Sequence, residues 1–426
     1  MSKNINMNIN VSHLTRVEGH GNIKIKIANG KVEDAKWEVV ETPRFFEAIL
    51  IGKAYDVVPY LTSRICGICS VGHTLASIRA TENAFGIEPT KQTKKLRLLL
   101  KHGETLQSHI LHLYYLVAPD FLGVKSVLPL IDSNPDVVEM ALALKQLAND
   151  FCDVIGGRTT HPLTPVVGGF TRVPAGSELK ALKERVSAAV PLIEKTVAIF
   201  KTFQLPDFSR ETEFVSLKGA DSYPFIGGGL VSSDGVNEPE HEYRKMTNEY
   251  IVSQSTSKWA ELSRKSFAVG ALARLNNNYA FLHPKAKEVA ESFGLKPVSH
   301  NPFMNNIAQL VEIVHVAYES LTLIDELLGE GLKEEPVKVK VKPGVGVGAV
   351  EVPRGILYHD YEYDKEGKIV KANCVIPTGQ NHANIHYDLQ ELAAFYYERN
   401  KTDKEIELLA EMLVRAYDPC ISCSVH

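Results

Sequence analysis

The stretch FMNNIAQLVEIVHVAYESLTLIDELLGE (303–330) carries apolar residues at intervals of three and four. Residues at that spacing share one face of an α-helix, and an apolar face of this length is typical of a helix that packs against a core. The stretch therefore predicts a long core helix. Its predicted buried stripe consists of Ile307, Leu310, Val311, Val314, Ala317, Leu321, Ile324 and Leu328.

Four segments on the N-terminal side of this stretch show the same periodicity. They are residues 90–118, 136–156, 178–204 and 241–262. Apolar residues that recur with a period near 3.6 predict amphipathic helices, which bury their apolar faces against one another. The middle of the chain is therefore predicted to be a bundle of long helices.

Regions with the alternation of β-strands flank the predicted bundle. Residues 21–41 alternate around Asn29-Gly30, a dipeptide that strongly indicates a hairpin. Residues 337–352 alternate as well, and 356–376 predicts a hairpin that turns at 364–368. The charges near 332–342 are interpreted as a solvated strand edge. Further helices are predicted at 387–398 and 403–416, so the fold class is α+β and mainly α.

Composition excludes several functional classes. The 426 residues carry a formal net charge of −4 with a pI of about 6.4, and no basic stripe indicates binding to nucleic acid. No run approaches the ~18 apolar residues of a membrane span. The first residues, MSKNINMNIN, lack the apolar core of a signal peptide. We therefore expect a cytoplasmic protein that does not span a membrane.

Four of the six cysteines form two Cys-x-x-Cys pairs, in RICGICSVGH (64–73) and DPCISCSVH (418–426). Such pairs indicate metal or redox chemistry, whereas disulfide frameworks belong to small secreted domains. The two remaining cysteines, Cys152 and Cys374, stand alone and are interpreted as buried structural residues.

The spacing of the pairs leaves two interpretations open. One is a structural zinc site with four cysteine ligands. The other is a catalytic or redox metal. The position of the pairs at opposite ends of the chain weakens the zinc interpretation, but spacing alone favours neither of the two. Each pair is also followed by a histidine, His73 or His426. A chain of this size does not need zinc to stay folded.

Both cysteine motifs resemble those of nickel–iron hydrogenase large subunits. RICGICSVGH is similar to Arg-x-Cys-Gly-x-Cys-x-x-x-His, and DPCISCSVH to Asp-Pro-Cys-x-x-Cys-x-x-His. The segment PRFFEAILIG (43–52) and the length are most similar to the soluble, multi-subunit cytoplasmic branch that includes sulfhydrogenases. The resemblance runs from residue 13 to 426 and includes TRVEGHG (15–21), SHILHLYYLVAPD (108–120), VPRGIL (352–357) and VIPTGQN (375–381).

The resemblance implies a set of metal ligands. Cys66 and Cys420 would bind nickel terminally, and Cys69 and Cys423 would bridge nickel and iron. The iron would carry carbon monoxide and cyanide ligands. A magnesium ion near the C-terminus would be held by Glu47 and His426.

Further residues are implied around these metals. His73 would donate a hydrogen bond to a bridging cysteine sulfur, and Thr378 would lie near a cyanide. Arg354 would lie over the open face of the metals, with Asp120 and Asp418 orienting it. Glu18 would relay protons. The segment VIPTGQN departs from the form of many relatives after Thr378, which leaves the contacts of the later residues open.

The resemblance also implies an activity and partners. The chain would be a hydrogenase large subunit that reversibly splits dihydrogen into protons and electrons. The chain has no cysteines to spare for iron–sulfur clusters, so electrons would leave through an iron–sulfur small subunit. Diaphorase or other electron-transfer subunits would link it to a nicotinamide or another soluble carrier. Nickel-insertion proteins and a maturation protease would act on the chain. In relatives this protease removes an extension beyond the histidine that corresponds to His426.

Three alternatives remain open. A non-catalytic relative like the related subunit of respiratory complex I would lack the paired cysteines. A zinc-stabilised scaffold would keep them but bind zinc, and a hydrogen sensor would bind nickel and iron without substantial turnover. Because the two cysteine motifs have to meet, we expect one interlocked unit over 1–426. Its predicted sub-regions are a β region (1–60), a helical bundle (61–330), a second β region (331–380) and C-terminal helices with a metal-binding tail (381–426).

Overall fold

The computed structural model describes residues 6–426, and helices predominate in it. The helices are Phe46–Leu50 (α1), Val58–Thr62 (α2), Ser70–Phe85 (α3), Lys91–Leu111 (α4), Ala118–Phe121 (α5), Leu130–Ser133 (α6), Pro135–Gly156 (α7), Gly176–Phe200 (α8), Ala271–Asn278 (α9), Pro284–Ser292 (α10), Met304–Glu330 (α11), Pro377–Glu398 (α12), Asp403–Ala416 (α13) and Ile421–Ser424 (α14). A π-helical turn, His112–Val117, continues α4.

The strands form small sheets around the helices. They are Met7–Val11 (β1), Gly21–Ala28 (β2), Lys31–Val39 (β3), Pro165–Val166 (β4), Gly169–Phe170 (β5), Glu213–Lys218 (β6), Gly229–Ser232 (β7), Asn237–Pro239 (β8), Asn248–Tyr250 (β9), Trp259–Glu261 (β10), Phe267–Ala268 (β11), Gly344–Val352 (β12), Gly355–Tyr363 (β13) and Ile369–Val375 (β14). The sheet orders are β1-β2-β3, β4-β5, β11-β6-β7-β8, β10-β9 and β12-β13-β14. The predicted α+β, mainly α class is confirmed.

The predicted helix at 303–330 is α11, at the centre of the bundle. It packs against α4, α8, α9 and α10, and α4 packs against α7. By length and composition α11 could cross a membrane, but 78% of its most apolar window is buried inside the protein. Buried polar residues on α11, such as Gln309 and Glu312, bond to side chains of neighbouring elements. The helix is therefore the core of the bundle.

The prediction of a helix at residues 241–262 is wrong. The chain there forms a 3₁₀ turn at Glu240–Lys245 and then the short strands β9 and β10. Its apolar side chains, including Met246 and Ala260, pack in a small core with the β6–β7 and β12–β13 strands. Serine, threonine and asparagine are frequent in this segment, and their side chains bond the backbone in non-helical conformations. A β layer therefore interrupts the region predicted to be helical.

The N-terminal hairpin is confirmed. Strands β2 and β3 pair antiparallel, and Asn29 and Gly30 both have positive φ, as the tight turn between them requires. The sheet packs on α12, where the indole Nε1 of Trp37 donates to His382 Nδ1 at 3.0 Å. This contact ties the start of the chain to an element close to its end.

The second β region begins later than predicted. Residues 331–343 are irregular, and the strand starts at Gly344 because only there does it gain β13 as a partner. Glycine lets this strand lie directly on α3: a Cβ at Gly346 would be 2.1 Å from the carbonyl oxygen of Ala80. The hairpin at 364–368 is confirmed. Helix α12 starts at Pro377, well before the predicted 387, with proline in the first turn.

Candidate metal centre

The two cysteine pairs meet in the buried interior. Cys66 lies in extended backbone, and Cys69 immediately precedes α3, while Cys420 immediately precedes α14. The Sγ atoms of Cys66 and Cys420 are 3.6 Å apart, and the backbone N–H of Cys69 donates to Cys66 Sγ at 3.1 Å. Each of the four side chains is at most 5% exposed. Sulfurs from opposite ends of the chain therefore share one dry site.

The sulfur positions fit a bound metal. One sulfur each from Cys66, Cys420 and Cys423 lie within 4.8 Å of one another. The sulfurs of Cys420 and Cys423 are 2.17 Å apart, a disulfide that the sequence did not predict. A metal ligand is a thiolate, so metal binding requires this pair in its reduced form. Soft thiolates converging on one point suit nickel, iron or zinc.

The electrostatic surroundings differ between the two cysteines of the first pair. Burial alone would raise the pKa of the Cys66 thiol, but a hydrogen bond from Cys69 and the positive charge of Arg354 lower it. Burial, the hydrogen bond with Cys66 and the charge on Cys66 raise the pKa of the Cys69 thiol. The pair therefore favours one thiolate before a metal is bound.

Glu18 holds the C-terminal segment in place. Its backbone carbonyl accepts from the N–H of Ile421 at 2.9 Å. Its carboxylate accepts from the Ser422 N–H at 3.0 Å and from the Ser422 hydroxyl. Thr378 Oγ1 accepts from the N–H of Cys420 at 3.0 Å. The structure thus brings Glu18 and Thr378 to the second cysteine pair.

Arg354 lies at the tip of the β12–β13 hairpin. Its Nη2 is 2.7 Å from Asp418 Oδ1, and its Nε donates to the backbone carbonyl of Asp418 at 2.5 Å. Nη1 contacts the hydroxyl of Ser108 at 3.4 Å. Although burial would lower the pKa of Arg354, the charge of Asp418 raises it, so the guanidinium stays charged. Arg354 and Asp418 form a buried ion pair next to the cysteines.

Asp120 does not join this pair. Its carboxylate accepts from Arg415 Nη1 at 2.9 and 3.0 Å and also contacts Arg16. Arg16 in turn donates to the carbonyl of Leu116. Asp120 therefore links the N-terminal segment to α13, and the second side chain that contacts Arg354 is Ser108 instead.

His73 sits one helical turn after Cys69. Its Nδ1 is 3.1 Å from His359 Nε2, and His359 Nδ1 is 2.5 Å from the hydroxyl of Tyr361. Burial lowers the pKa of both imidazoles, to about 3 for His359, so both rings are neutral. Within the described residues, His73 Nε2 is buried without a hydrogen-bond partner.

Glu47 and His426 come together near the chain end. His426 Nε2 is 3.5 Å from Glu47 Oε1, which also accepts from the N–H of Cys374 at 2.8 Å. Burial would raise the pKa of Glu47, but hydrogen bonds from His426 and Cys374 lower it. His426 Nδ1 is buried and has no partner among residues 6–426. The two predicted magnesium ligands are thus neighbours.

Two neighbours of the site were missed at the sequence level. Ser108 contacts Arg354, and Gln309 donates to Asp418 Oδ2 at 3.2 Å. Gln309 is itself bound to His112 Nδ1 at 2.6 Å. Ser108 and His112 are four apart on α4 and its π-helical continuation, a spacing that places both on one face. His109 and His112 are also hydrogen-bonded, to Glu312 and to the backbone carbonyl of Arg415.

Comparisons with known proteins agree with this geometry. A family model described as nickel-dependent hydrogenase matches residues 44–135 and 231–426, and a second, described as HoxL-like, matches 8–42. Sulfhydrogenase 1 subunit alpha of Pyrococcus furiosus is 37% identical over 100% of this chain and 99% of its own length. Sulfhydrogenase 2 subunit alpha of the same organism is 34% identical over 99% of each chain.

A solved structure supports the same conclusion. The NAD⁺-reducing [NiFe]-hydrogenase in its H2-reduced state superposes with a TM-score of 0.88 and 27% identity, covering 98% of this chain and 99% of that one. The matched regions include both cysteine pairs, which meet in one buried site. The chain therefore belongs to the nickel-dependent hydrogenase family, as a large subunit that acts on dihydrogen.

Proposed function

We propose that Cys66, Cys69, Cys420 and Cys423 hold a nickel–iron centre whose iron carries carbon monoxide and cyanide. The observation that carries this proposal is the convergence of the two cysteine pairs in one dry site. Cys66 and Cys420 are assigned to nickel, and Cys69 and Cys423 to both metals. When bound, the centre supplies the Lewis-acidic and redox-active metals that heterolytic cleavage of dihydrogen requires.

Glu18 is proposed to move the proton. Its carboxylate lies beside Ser422, between the two cysteines of the second pair, and Ser422 donates to both of its oxygens. A carboxylate fixed within reach of the reacting groups can accept a proton and release it again. Glu18 is also partly exposed, which suits a residue that exchanges protons with its surroundings.

Arg354 is proposed to line the face where dihydrogen binds. The buried ion pair with Asp418 orients a planar guanidinium toward the cysteines, and its charge is permanent. The hydroxyl of Thr378 accepts from Cys420 N–H, which leaves its own proton free to donate to a cyanide. His73 is proposed to donate from its unpartnered Nε2 to a cysteine sulfur. Asp120 is bound to Arg415 and is proposed to support these residues indirectly.

A magnesium ion is proposed between Glu47 and His426. Magnesium is commonly bound through one or two protein groups and keeps several waters. The carboxylate of Glu47 and the buried, unpartnered Nδ1 of His426 lie at the end of the segment that carries the second cysteine pair. An ion here would stabilise that segment against the β14 backbone that Glu47 contacts.

The iron–sulfur small subunit is proposed to bind a surface formed by Val40, Phe45, Ile49, Ile51 and Val57, here called the 40–57 surface. Each of these side chains is at least 44% exposed, and Phe45 is 68% exposed with a φ of 58°. Arg44 in this segment donates to the carbonyls of Ile65 and Ser422, at 2.8 and 2.7 Å. Ile65 and Ser422 each precede a cysteine of the site. Arg44, which lies within this segment, therefore contacts both cysteine motifs, and a small subunit bound here would give electrons a short route out.

The wider assembly is also part of the proposal. The relatives are alpha subunits of hydrogenases. We propose further diaphorase-type subunits that pass electrons to a soluble carrier, maturation by nickel-insertion proteins and a protease, and a cytoplasmic location. The whole chain is proposed to act as one interlocked unit, because Glu18 and Cys420 form a backbone bridge across its length.

Metal analysis joined to infrared spectroscopy tests the centre. The protein purified with its partner is expected to contain nickel and iron and to show cyanide and carbonyl bands. It is also expected to turn over dihydrogen, which a sensor would do only slowly. Stoichiometric zinc without nickel, and no such bands, would disprove the proposed centre.

Substituting Phe45 tests the docking surface. Phe45→Asp is expected to weaken binding of the small subunit at least tenfold, because it places a charge at the centre of an apolar interface. Aspartate tolerates the left-handed backbone of this position. Leu408→Asp, at a residue of α13 that is 45% exposed, is the control and should bind normally. Equal affinities measured for the two variants would place the small subunit elsewhere.

A further inference from the structure

A second buried charge cluster lies outside the cysteine site. Arg274 of α9 contacts Glu312 of α11 through Nε–Oε1 at 2.6 Å and Nη2–Oε2 at 2.7 Å. Its Nη1 also contacts Glu351 Oε2 of β12 at 3.0 Å. The three side chains are at most 1% exposed. None of them is used in the chemistry described above.

The same guanidinium holds the backbone that leads to Arg354. Nη1 donates to the carbonyl of Val352 at 2.9 Å, and Nη2 to the carbonyl of Pro353 at 3.1 Å. Val352 pairs with Gly355, so Pro353 and Arg354 form the two-residue tip of the β12–β13 hairpin. Arg274 therefore binds the two carbonyls that directly precede Arg354.

We propose that Arg274 is a positioning residue, which holds the tip of the β12–β13 hairpin so that the guanidinium of Arg354 stays aimed at the cysteines. The inference rests on the role proposed above for Arg354. None of the hydrogen bonds given above for Arg274 reaches a cysteine or Asp418. Arg274 would therefore act on Arg354 only through the backbone of the hairpin tip.

The number of hydrogen-bond acceptors around residue 274 explains why an arginine is needed there. A guanidinium has five N–H donors in a rigid plane, and a lysine ammonium has three on a flexible stem. In Arg274 the donors face two oxygens of Glu312, one of Glu351 and the two carbonyls. Every N–H donor therefore has an acceptor, and no other side chain could satisfy this set.

The pair of Arg274 and Glu312, here called the clamp, also contacts several other elements. Glu312 accepts from the hydroxyl of Tyr223 at 2.7 Å and contacts His109 Nε2 at 2.7 Å. From the other side, Asn381 of α12 donates to the carbonyl of Arg354 at 3.4 Å. Three consecutive carbonyls around the tip are thus held by side chains from α9 and α12. A hairpin tip held in this way has little freedom to move relative to the bundle.

A stabilising role alone would be the competing explanation. Buried ion pairs often contribute little net stability, because desolvation offsets the attraction between the charges. Removing one partner is nevertheless strongly destabilising, because the other charge stays buried without a counter-ion. The test must therefore separate loss of the clamp from loss of stability.

The primary test is Arg274→Lys in the complex with its small subunit, compared with Arg97→Lys. Arg97 also forms a buried bidentate pair, with Glu82, and holds a carbonyl, that of Val166. Arg274→Lys is expected to lower dihydrogen turnover by about 10²-fold, the scale of an ångström of misplacement. Its nickel content should be normal and its carbonyl and cyanide bands shifted. Arg97→Lys should lower the melting temperature and leave turnover and bands unchanged.

A charge-balanced double variant decides the matter if Arg274→Lys does not fold. Arg274→Gln combined with Glu312→Gln removes both charges of that pair and keeps the net charge of the cluster, but it cannot hold both carbonyls. Glu351 loses Arg274 in this variant and keeps the hydrogen bond from the N–H of Leu217 at 2.7 Å. We expect it to fold with nickel and to keep both the turnover defect and the shifted bands. Normal turnover and bands in the double variant would overturn the inference.

Arg354→Lys separates this inference from the proposed function. If Arg354→Lys loses turnover while the double variant keeps it, the inference about Arg274 fails and the role of Arg354 stands. If Arg354→Lys turns over dihydrogen normally, the role of Arg354 fails and the inference with it.

Discussion

Glu18 contacts the second cysteine pair through both its backbone and its side chain. Its backbone forms an isolated bridge with that of Cys420, and its carboxylate accepts two hydrogen bonds from Ser422. The motif Thr-Arg-Val-Glu-Gly-His predicted this residue from the sequence, but only the fold places it beside the second cysteine pair. The neighbouring Gly19 has a φ of 84°, and a Cβ there would lie 2.7 Å from the backbone N of Ser422. This close approach lets Glu18 reach the site.

The proton role of Glu18 predicts the effect of an isosteric amide. Glu18→Gln can keep its contacts with Ser422, because the amide oxygen can accept from the Ser422 N–H and the amide nitrogen can donate to the Ser422 hydroxyl. It cannot carry the proton, so turnover should fall by about 10²-fold or more. Nickel and iron contents should not change. Glu41→Gln, at a neighbouring carboxylate that contacts His20, is the control and should turn over normally. Full dihydrogen turnover by the Glu18→Gln enzyme would rule out the relay.

The sequence predicted only part of the surroundings of Arg354. The sequence motif indicated two carboxylates around it, and the structure places Asp418 there but brings Asp120 to Arg415. The second residue that contacts Arg354, Ser108, carries no charge and stands in a helical pattern that looks like ordinary packing. Which of several polar residues on one helix meets a distant arginine depends on the helix's rotation, which periodicity alone does not specify.

At the level of elements, α13 is the helix that delivers the second cysteine pair. It begins with a capping box in which Thr402 and Glu405 bond each other's backbone N–H groups. It ends at Ala416, two residues before Asp418. The hydrogen bond from Lys401 and those from Thr402 lower the pKa of Glu405 to about 2. The capping box therefore fixes where α13 begins.

This cap predicts a pH-dependent difference in stability. The folded-state pKa of Glu405 is lowered, so its contribution is present above its unfolded pKa of about 4.3 and is lost as the pH falls toward 2. Glu405→Gln should therefore lower the melting temperature at pH 7, with the gap narrowing from about pH 4.3 downward. Thermal unfolding across this pH range measures the gap, with Glu407→Gln on the same helix as control. A gap that stays constant with pH would contradict the assigned role.

Helices and hairpins with strong local patterns were predictable, and the weaker ones were not. The 303–330 stripe and Asn29-Gly30 correspond to α11 and to the first hairpin. Residues 241–262 have helical spacing, but their apolar side chains are buried by β-strands that arrive from elsewhere in the chain. For short segments, tertiary packing outweighs local preference.

On the scale of the whole molecule, the two ends of the chain are part of the same site. The N-terminal sheet rests on α12, Glu18 bridges to Cys420, and Arg44 bonds the carbonyls of Ile65 and Ser422. The described contacts therefore link the first, middle and last parts of the sequence around the cysteines. A metal bound there would cross-link all of them and stabilise the folded state.

Hydrogen exchange can test this cross-link. In protein prepared without nickel and kept reduced, the amides of Ile421 and Ser422 should exchange faster than in the metal-loaded protein. Their bonds to Glu18 depend on the tail staying in place. The amides of α11, such as that of Val311, serve as the control and should exchange at similar rates in both forms. Equal protection of the tail in both forms would show that the metal does not hold it.

The sequence by itself determined the chemistry of this protein and its strongest local structures. Paired cysteines, helical stripes and turn dipeptides are patterns between residues that are close in sequence. Such patterns can be recognised without knowledge of the fold. The tertiary structure decided which residues surround Arg354, where the interrupting β layer forms and how the chain ends meet. Those outcomes depend on contacts between residues hundreds of positions apart, such as Glu18 with Ser422, whose geometry is set by the packing of the whole bundle.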